Sequence, residues 1–141
     1  HVVPLGKAAT RRSGSDVTLI SYGRQVHDCA AVAEALAEES IDVEVIDLRT
    51  LVPLDEEAVL DSVGRTRRAV VVHEAVRRNG FGAELAALIH ERLFDKLAAP
   101  VQRVAGADTP IPFAKNLEDA FVPGRNDIVA AVRRTLAPAT A

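Results

Sequence analysis

A single cysteine, Cys29, is too few for an internal disulfide or a cysteine-based metal cluster, and on a helical apolar stripe a lone thiol reads as a core residue. A cytoplasmic setting is therefore the default expectation. No apolar run approaches the roughly 20 residues that span a bilayer, and no basic-then-apolar leader opens the chain, so no membrane partner is expected. Positive charge is also in short supply. A net charge of −3 and a pI near 5.8 give no general attraction to phosphate backbones, which argues against nucleic acid as a partner. Internal repeats and low-complexity segments are missing as well. What remains, 141 residues at 48% hydrophobic and 26% charged, fits one globular domain with a single core.

The strongest local signal is Ala69-Val70-Val71-Val72-His73-Glu74, followed by Gly80-Phe81-Gly82. An uninterrupted run rich in β-branched valine reads as a strand buried on both faces, expected to end at His73. A polar loop and an amphipathic helix from Phe81 to about Lys96 follow, with Phe81, Leu85, Leu88 and Ile89 inward. The glycines predict a loop-to-helix turn in which at least one takes a positive φ. Sites in open α/β sheets form where strands give way to such loops, so His73, Glu74 and this turn are the first candidates.

The rest of the chain supplies the same pattern. Lys7 to Arg12 and Asp16 to Ser21, on either side of Ser13-Gly14-Ser15, predict an antiparallel edge hairpin. Val26, Cys29, Ala30, Ala33 and Leu36 recur at helical spacing as far as Ser40, and Ile41 to Leu48 is a strand. Asp55 is placed to cap a short helix ending at Gly64, with Glu56 and Glu57 in its first turn. Val101 to Ala105 is a fourth strand, Gly106 to Val122 a long connection, and Asn126 the expected cap of a last helix carrying Ile128, Val129, Val132 and Leu136. The fold class is α/β: three layers, a mostly parallel sheet with helices on both faces and one antiparallel edge strand. Residues 1–6 read as a linker remnant of something longer, 7–137 as the domain, and 138–141 as a disordered tail.

These residues do not assemble a reaction centre on their own. His73 and Glu74 are neighbours on an extended strand and point to opposite faces, so they cannot share one proton directly. Gly80-Phe81-Gly82 precedes a helix as a phosphate loop would, yet lacks the full dinucleotide fingerprint and the Lys-Ser/Thr of a P-loop. His27 and His90 have no partners at metal-ligand spacing, and no Ser-His-Asp arrangement is identifiable. Arg49, between Asp47 and Asp55, reads as an internal ion pair that fixes a loop. The expected catalytic, cofactor-binding and metal residues are none. The connection from Gly106 to Val122 is more informative, because Ile111, Phe113, Leu117, Phe121 and Val122 make it too apolar for a solvated loop. Either the domain's own sheet or a partner must cover part of it.

Asp47-Leu48-Arg49-Thr50-Leu51-Val52-Pro53-Leu54-Asp55, Val72-His73-Glu74-Ala75 and Gly80-Phe81-Gly82-Ala83-Glu84 resemble the C-terminal domain of transketolase-like thiamine-diphosphate enzymes. Ala99 to Phe113, with Asn116-Leu117-Glu118-Asp119 and Val122-Pro123, narrows the likeness to the β subunit of 2-oxo acid dehydrogenases: the pyruvate, branched-chain and acetoin enzymes. The resemblance implies a parent enzyme that uses thiamine diphosphate and magnesium to decarboxylate a 2-oxo acid and pass the acyl group to a lipoyl arm. It places the cofactor in domains outside this chain, and the sequence agrees, having no Gly-Asp-Gly with a later Asn to hold metal and diphosphate. It assigns this domain to association with a second β subunit and the α subunit, and to docking of the acyltransferase's subunit-binding domain. Carried onto this sequence, that role falls on His73, Glu74, Phe81, Asp108, Thr109, Pro110, Pro112 and Phe113. The family often has an acidic residue where Ala98 stands here, so Glu118 or Asp119 is expected to meet a basic partner instead. Two other readings stay open: the C-terminal domain of transketolase or deoxyxylulose-phosphate synthase, and a free-standing flavodoxin-like binding module.

Overall fold

A computed structural model describes residues 2–138. Five strands, β1 (Ala9–Arg12), β2 (Val17–Ser21), β3 (Val43–Asp47), β4 (Ala69–Val76) and β5 (Gln102–Gly106), form one sheet in the order β1-β3-β2-β4-β5. All neighbours are parallel except β1 with β3. Five helices join them: α1 (Gln25–Ala37), α2 (Glu56–Thr66), α3 (Phe81–Leu93), α4 (Lys115–Phe121) and α5 (Arg125–Leu136). The alternation of side chains along each strand divides the core in two. Val17, Leu19, Val43, Val45, Val70, Val72 and Val104 meet Cys29, Val32, Ala33 and Leu36 of α1 and Ile128, Ala131 and Val132 of α5. Ile20, Ile46, Ala69 and Val71 meet Val59 and Val63 of α2 and Leu85, Ile89 and Leu93 of α3. The three-layer α/β expectation holds, and Cys29 is buried, its thiol pKa pushed up to about 12 by that burial.

Several local expectations are corrected. β1 is the antiparallel edge strand, but it pairs with β3 and not with β2. β2 is buried at all five positions and parallel to strands on both sides, so it has no free edge for a hairpin partner. The turn instead crosses over β3, with the Ser15 and Asp16 amides donating to the Asp42 carbonyl. β4 does not end at His73: it continues to Val76 through a register shift against β5 and outruns β2, whose last residue pairs with Val72. The connection after β5 contains α4, and α5 is capped at Gly124, whose amide donates to the Asp127 carboxylate at 2.8 Å, rather than at Asn126. Asp55 does cap α2, accepting from the Ala58 amide at 3.3 Å. Arg49 is not the ion-pair partner expected at Asp47. Arg11 Nη2 from β1 takes that place at 2.6 Å, and Asp47 also accepts from the Arg49 backbone amide at 3.1 Å, which turns the loop at a positive φ of 59°. The expected tail from 138 lies, beyond Pro138, outside the described residues.

Candidate functional site

The carboxyl ends of β2 and β4 mark the point where the sheet's connections diverge, β2 leading outward to β3 and β4 to β5. Crevices of α/β proteins open there. Because β4 overruns β2, His73 and Glu74 sit on a projecting strand end and, as neighbours on an extended backbone, face opposite layers. His73 is buried on the α3 side, where its ring stacks against Tyr22 with centroids 6.0 Å apart, and Tyr22 in turn meets the edge of Phe81. The Gly82 amide in the first turn of α3 donates to His73 Nε2 at 3.0 Å. An accepting Nε2 places the proton on Nδ1, which is buried without a hydrogen-bond partner. Glu74 is half-buried, with one carboxylate oxygen enclosed and unpartnered, and its charge adds to burial in raising the Tyr22 pKa.

The glycine turn works differently from the sequence expectation. Gly80 has φ −73° and Gly82 lies in a helix; the positive angle belongs to Asn79, at 57°. Both positions require glycine because there is no room for a side chain. A Cβ on Gly82 would stand 2.1 Å from His73 Nε2, and one on Gly80 would stand 2.1 Å from the Val76 carbonyl oxygen. This helix start is poorly suited to phosphate, since the Gly82 amide is committed to His73 and the Ala83 amide to the Gly80 carbonyl at 2.9 Å.

Burial lowers the His73 pKa from 6.5, with the Arg103 charge acting in the same direction and the Ala75 backbone opposing. The unfolded chain thus binds a proton that the folded chain resists. Stability from this residue is complete above the unfolded pKa of about 6.5 and is lost as pH falls below it toward the native value. Urea unfolding of the wild type is expected to give a lower midpoint at pH 5.5 than at pH 7.5, with His73→Gln showing a smaller difference. An equal pH dependence in both proteins would exclude His73 as the source.

The second group of candidates lies on the connection after β5. Asp108, Thr109 and Pro110 are exposed, Pro112 is half-buried, and Asp108 accepts from the Arg78 amide at 2.7 Å, tying this loop to the one after β4. Phe113 is fully exposed at 105%, beside Ile111 at 69% and Leu117 at 55%, whereas Phe121 at 6% turns inward under Gly106. The domain's own fold therefore covers Phe121, half-buries Val122 and leaves Ile111, Phe113 and Leu117 in solvent. Glu118 and Asp119 lie on the exposed face of α4, the latter 3.2 Å from Lys115. The strand-end and loop candidates thus occupy two separate areas linked by Arg78 and Asp108. Sequence reasoning overlooked Tyr22, which packs on His73, and a group of arginines on the outer edge of β5. The strand pairing of β4 with β5 is the one signal that would have found Arg77 near Arg103.

Among the described residues no group of three or more His, Cys, Asp or Glu side chains is placed to hold a metal. A family model described as the C-terminal domain of transketolase matches residues 6–128. The mitochondrial pyruvate dehydrogenase E1 component subunit beta of Dictyostelium discoideum is 45% identical over 134 residues, 95% of this chain and 38% of that protein. The acetoin:2,6-dichlorophenolindophenol oxidoreductase subunit beta of Bacillus subtilis (strain 168) is 41% identical over 130 residues, 92% of this chain and 38% of that protein. A solved structure described as a split-gene transketolase, an inactive β4 tetramer, matches with TM-score 0.77 and 27% identity, covering 95% of this chain and 42% of that one. The chain therefore spans about two fifths of the length of the relatives it matches. With the family model covering most of its residues and the sheet topology in agreement, the chain belongs to the family of transketolase C-terminal domains.

Proposed function

We propose that this domain closes the β subunit of a thiamine-diphosphate-dependent E1 component of a 2-oxo acid dehydrogenase, and that its task is assembly. The parent enzyme decarboxylates a 2-oxo acid oxidatively, pyruvate or a branched-chain acid, and hands the acyl group to a lipoyl arm. The domain joins the β subunit to a second β subunit and the α subunit and docks the acyltransferase's subunit-binding domain. One observation carries the reading: a domain similar to the β subunits of a pyruvate dehydrogenase E1 component and of an acetoin oxidoreductase leaves Ile111, Phe113 and Leu117 in solvent, on a connection that also carries Asp108, Lys115, Glu118 and Asp119. Interface cores have that make-up, with apolar anchors and a charged rim that here suits a basic partner.

A chimera tests it. Replacing the corresponding segment of the Dictyostelium β subunit with this chain should give a protein that co-purifies with its α subunit and regains pyruvate decarboxylation. A folded chimera that stays apart from the α subunit would defeat the proposal. The isolated chain is expected to give no heat with thiamine diphosphate and magnesium in calorimetry, and micromolar, magnesium-dependent binding would place a cofactor site in the wrong domain.

A further inference from the structure

Several basic side chains of this domain lie within 4.0 Å of a carboxylate: Arg11 has Asp47, Arg12 Asp42, Arg65 Glu44, Arg92 Glu56, Arg125 Asp28 and Arg133 Glu39. Three arginines that share one recess at the outer edge of β5 make no such ion pair among the described residues. Arg77 follows β4, Arg103 lies on β5, Arg134 lies in the last turn of α5, and together they line a recess of about 350 Å³ floored by Phe121 and Pro123. Backbone and amide groups hold them in place. Arg77 Nη1 donates to the Arg103 carbonyl at 2.6 Å, Arg103 Nη1 to the Arg77 carbonyl at 3.1 Å, and Arg134 Nε to Gln102 Oε1 at 3.0 Å. Each guanidinium spends one of its five donors in this way, and carbonyl partners neutralise no charge. The one acid lining the recess, Asp127, is held by the Gly124 amide as the cap of α5 and keeps its charge, so the lining carries three positive charges against one negative.

Three cations fixed around one recess, in a chain with a formal charge of −3, repel one another and attract anions. The shape selects among anions. Residues 103, 104, 105 and 107 all line the recess, so it extends along the end of β5 and past its last residue, Gly106. β5 is also an edge strand, with β4 on one side and no strand on the other. We propose that this recess docks an extended acidic segment of a partner polypeptide, whose carboxylates engage Arg77, Arg103 and Arg134 while side-chain methylenes cover Phe121 and Pro123. It is a surface of opposite sign to the acidic rim around Phe113, and it serves a different partner chemistry. The inference stands on the recess alone and does not require the assembly proposed above.

The test uses the 141-residue chain and a fluorescein-labelled acetyl-hexaglutamate amide, followed by anisotropy. Saturable binding is expected, with no binding of hexalysine. Arg134→Gln and Arg103→Gln should each weaken it about tenfold, as removal of a charge-assisted pair does. Arg133→Gln makes the same charge change one residue away, where the side chain meets Glu39 at 2.9 Å, and should leave binding unaltered. Circular dichroism checks the fold of each variant, and the exposed Arg134 keeps the test valid if Arg103→Gln unfolds the β4–β5 corner. Absence of hexaglutamate binding overturns the proposal, as does an Arg133→Gln effect equal to that of Arg134→Gln. Displacement of the peptide by inorganic phosphate at equal charge concentration also overturns it, because the recess would then be a site for a simple anion.

Discussion

Gly82→Ala should destabilise the domain by about 3 kcal/mol, the range for overpacking a closed interior combined with loss of a buried hydrogen bond. The added methyl would lie 2.1 Å from His73 Nε2 and 2.5 Å from Cδ2, and 3.2 Å from Val71 Cγ1. His73 cannot swing clear. Its ring is buried, enclosed on the α3 side and stacked on Tyr22. Moving the ring breaks the Gly82 amide bond and leaves that amide buried beside an imidazole whose Nδ1 is already unpartnered. Gly64→Ala provides the contrast. Gly64 is inside α2, and a Cβ there meets nothing within 4 Å, so the same exchange should stabilise by about 0.5–1 kcal/mol through helix propensity. Urea titrations of the two variants against wild type read both effects. A Gly82→Ala midpoint equal to that of wild type would show that α3 slides away from β4 at little cost and that the His73 contact is not fixed.

The glycine turn also shows how far the sequence could be read. A Gly-x-Gly ahead of an amphipathic run marks a place where only glycine fits, and that much was legible. The reason was not, because a positive φ is a local property whereas the approach of His73 to Gly82 depends on how α3 lies on β4. The same division recurs elsewhere. Val70-Val71-Val72 announces a doubly buried strand by composition alone, but its extension to Val76 depends on β5, whose partner residue Gly106 lies thirty positions further along the chain and is visible only as pairing. Arg11 and Asp47 meet because β1 crosses to β3, a choice made by the absence of a free edge on β2 and by no feature of residues 7–12 themselves. Asp55 was readable as a cap because capping is settled within four residues. The recess at Arg77, Arg103 and Arg134 draws on three separate elements, and no spacing in the chain could have grouped them.

On the proposed assembly role, Phe113→Ala should weaken association of a β subunit containing this domain by about 2 kcal/mol or more, roughly thirtyfold, and leave the melting temperature of the isolated chain unchanged. The side chain contributes nothing to the domain's own core, since it is fully exposed, and Pro110 and Pro112 before it limit the entropy lost when the segment is fixed against a partner. Removing a benzyl group from an aromatic anchor that becomes buried at the centre of an interface forfeits its apolar transfer energy, about 1.5–3 kcal/mol, along with its packing. Phe121→Ala is the matched control within the same segment. Its ring is buried under Gly106, so it should lower the melting temperature directly. Sedimentation of the full β subunit with its α subunit, and separately with the acyltransferase's subunit-binding domain, identifies which contact depends on Phe113. Unchanged association in both mixtures would remove the loop from the assembly surface, because a fully exposed phenylalanine that touches neither its own core nor a partner has no energetic role in the reading proposed for this domain.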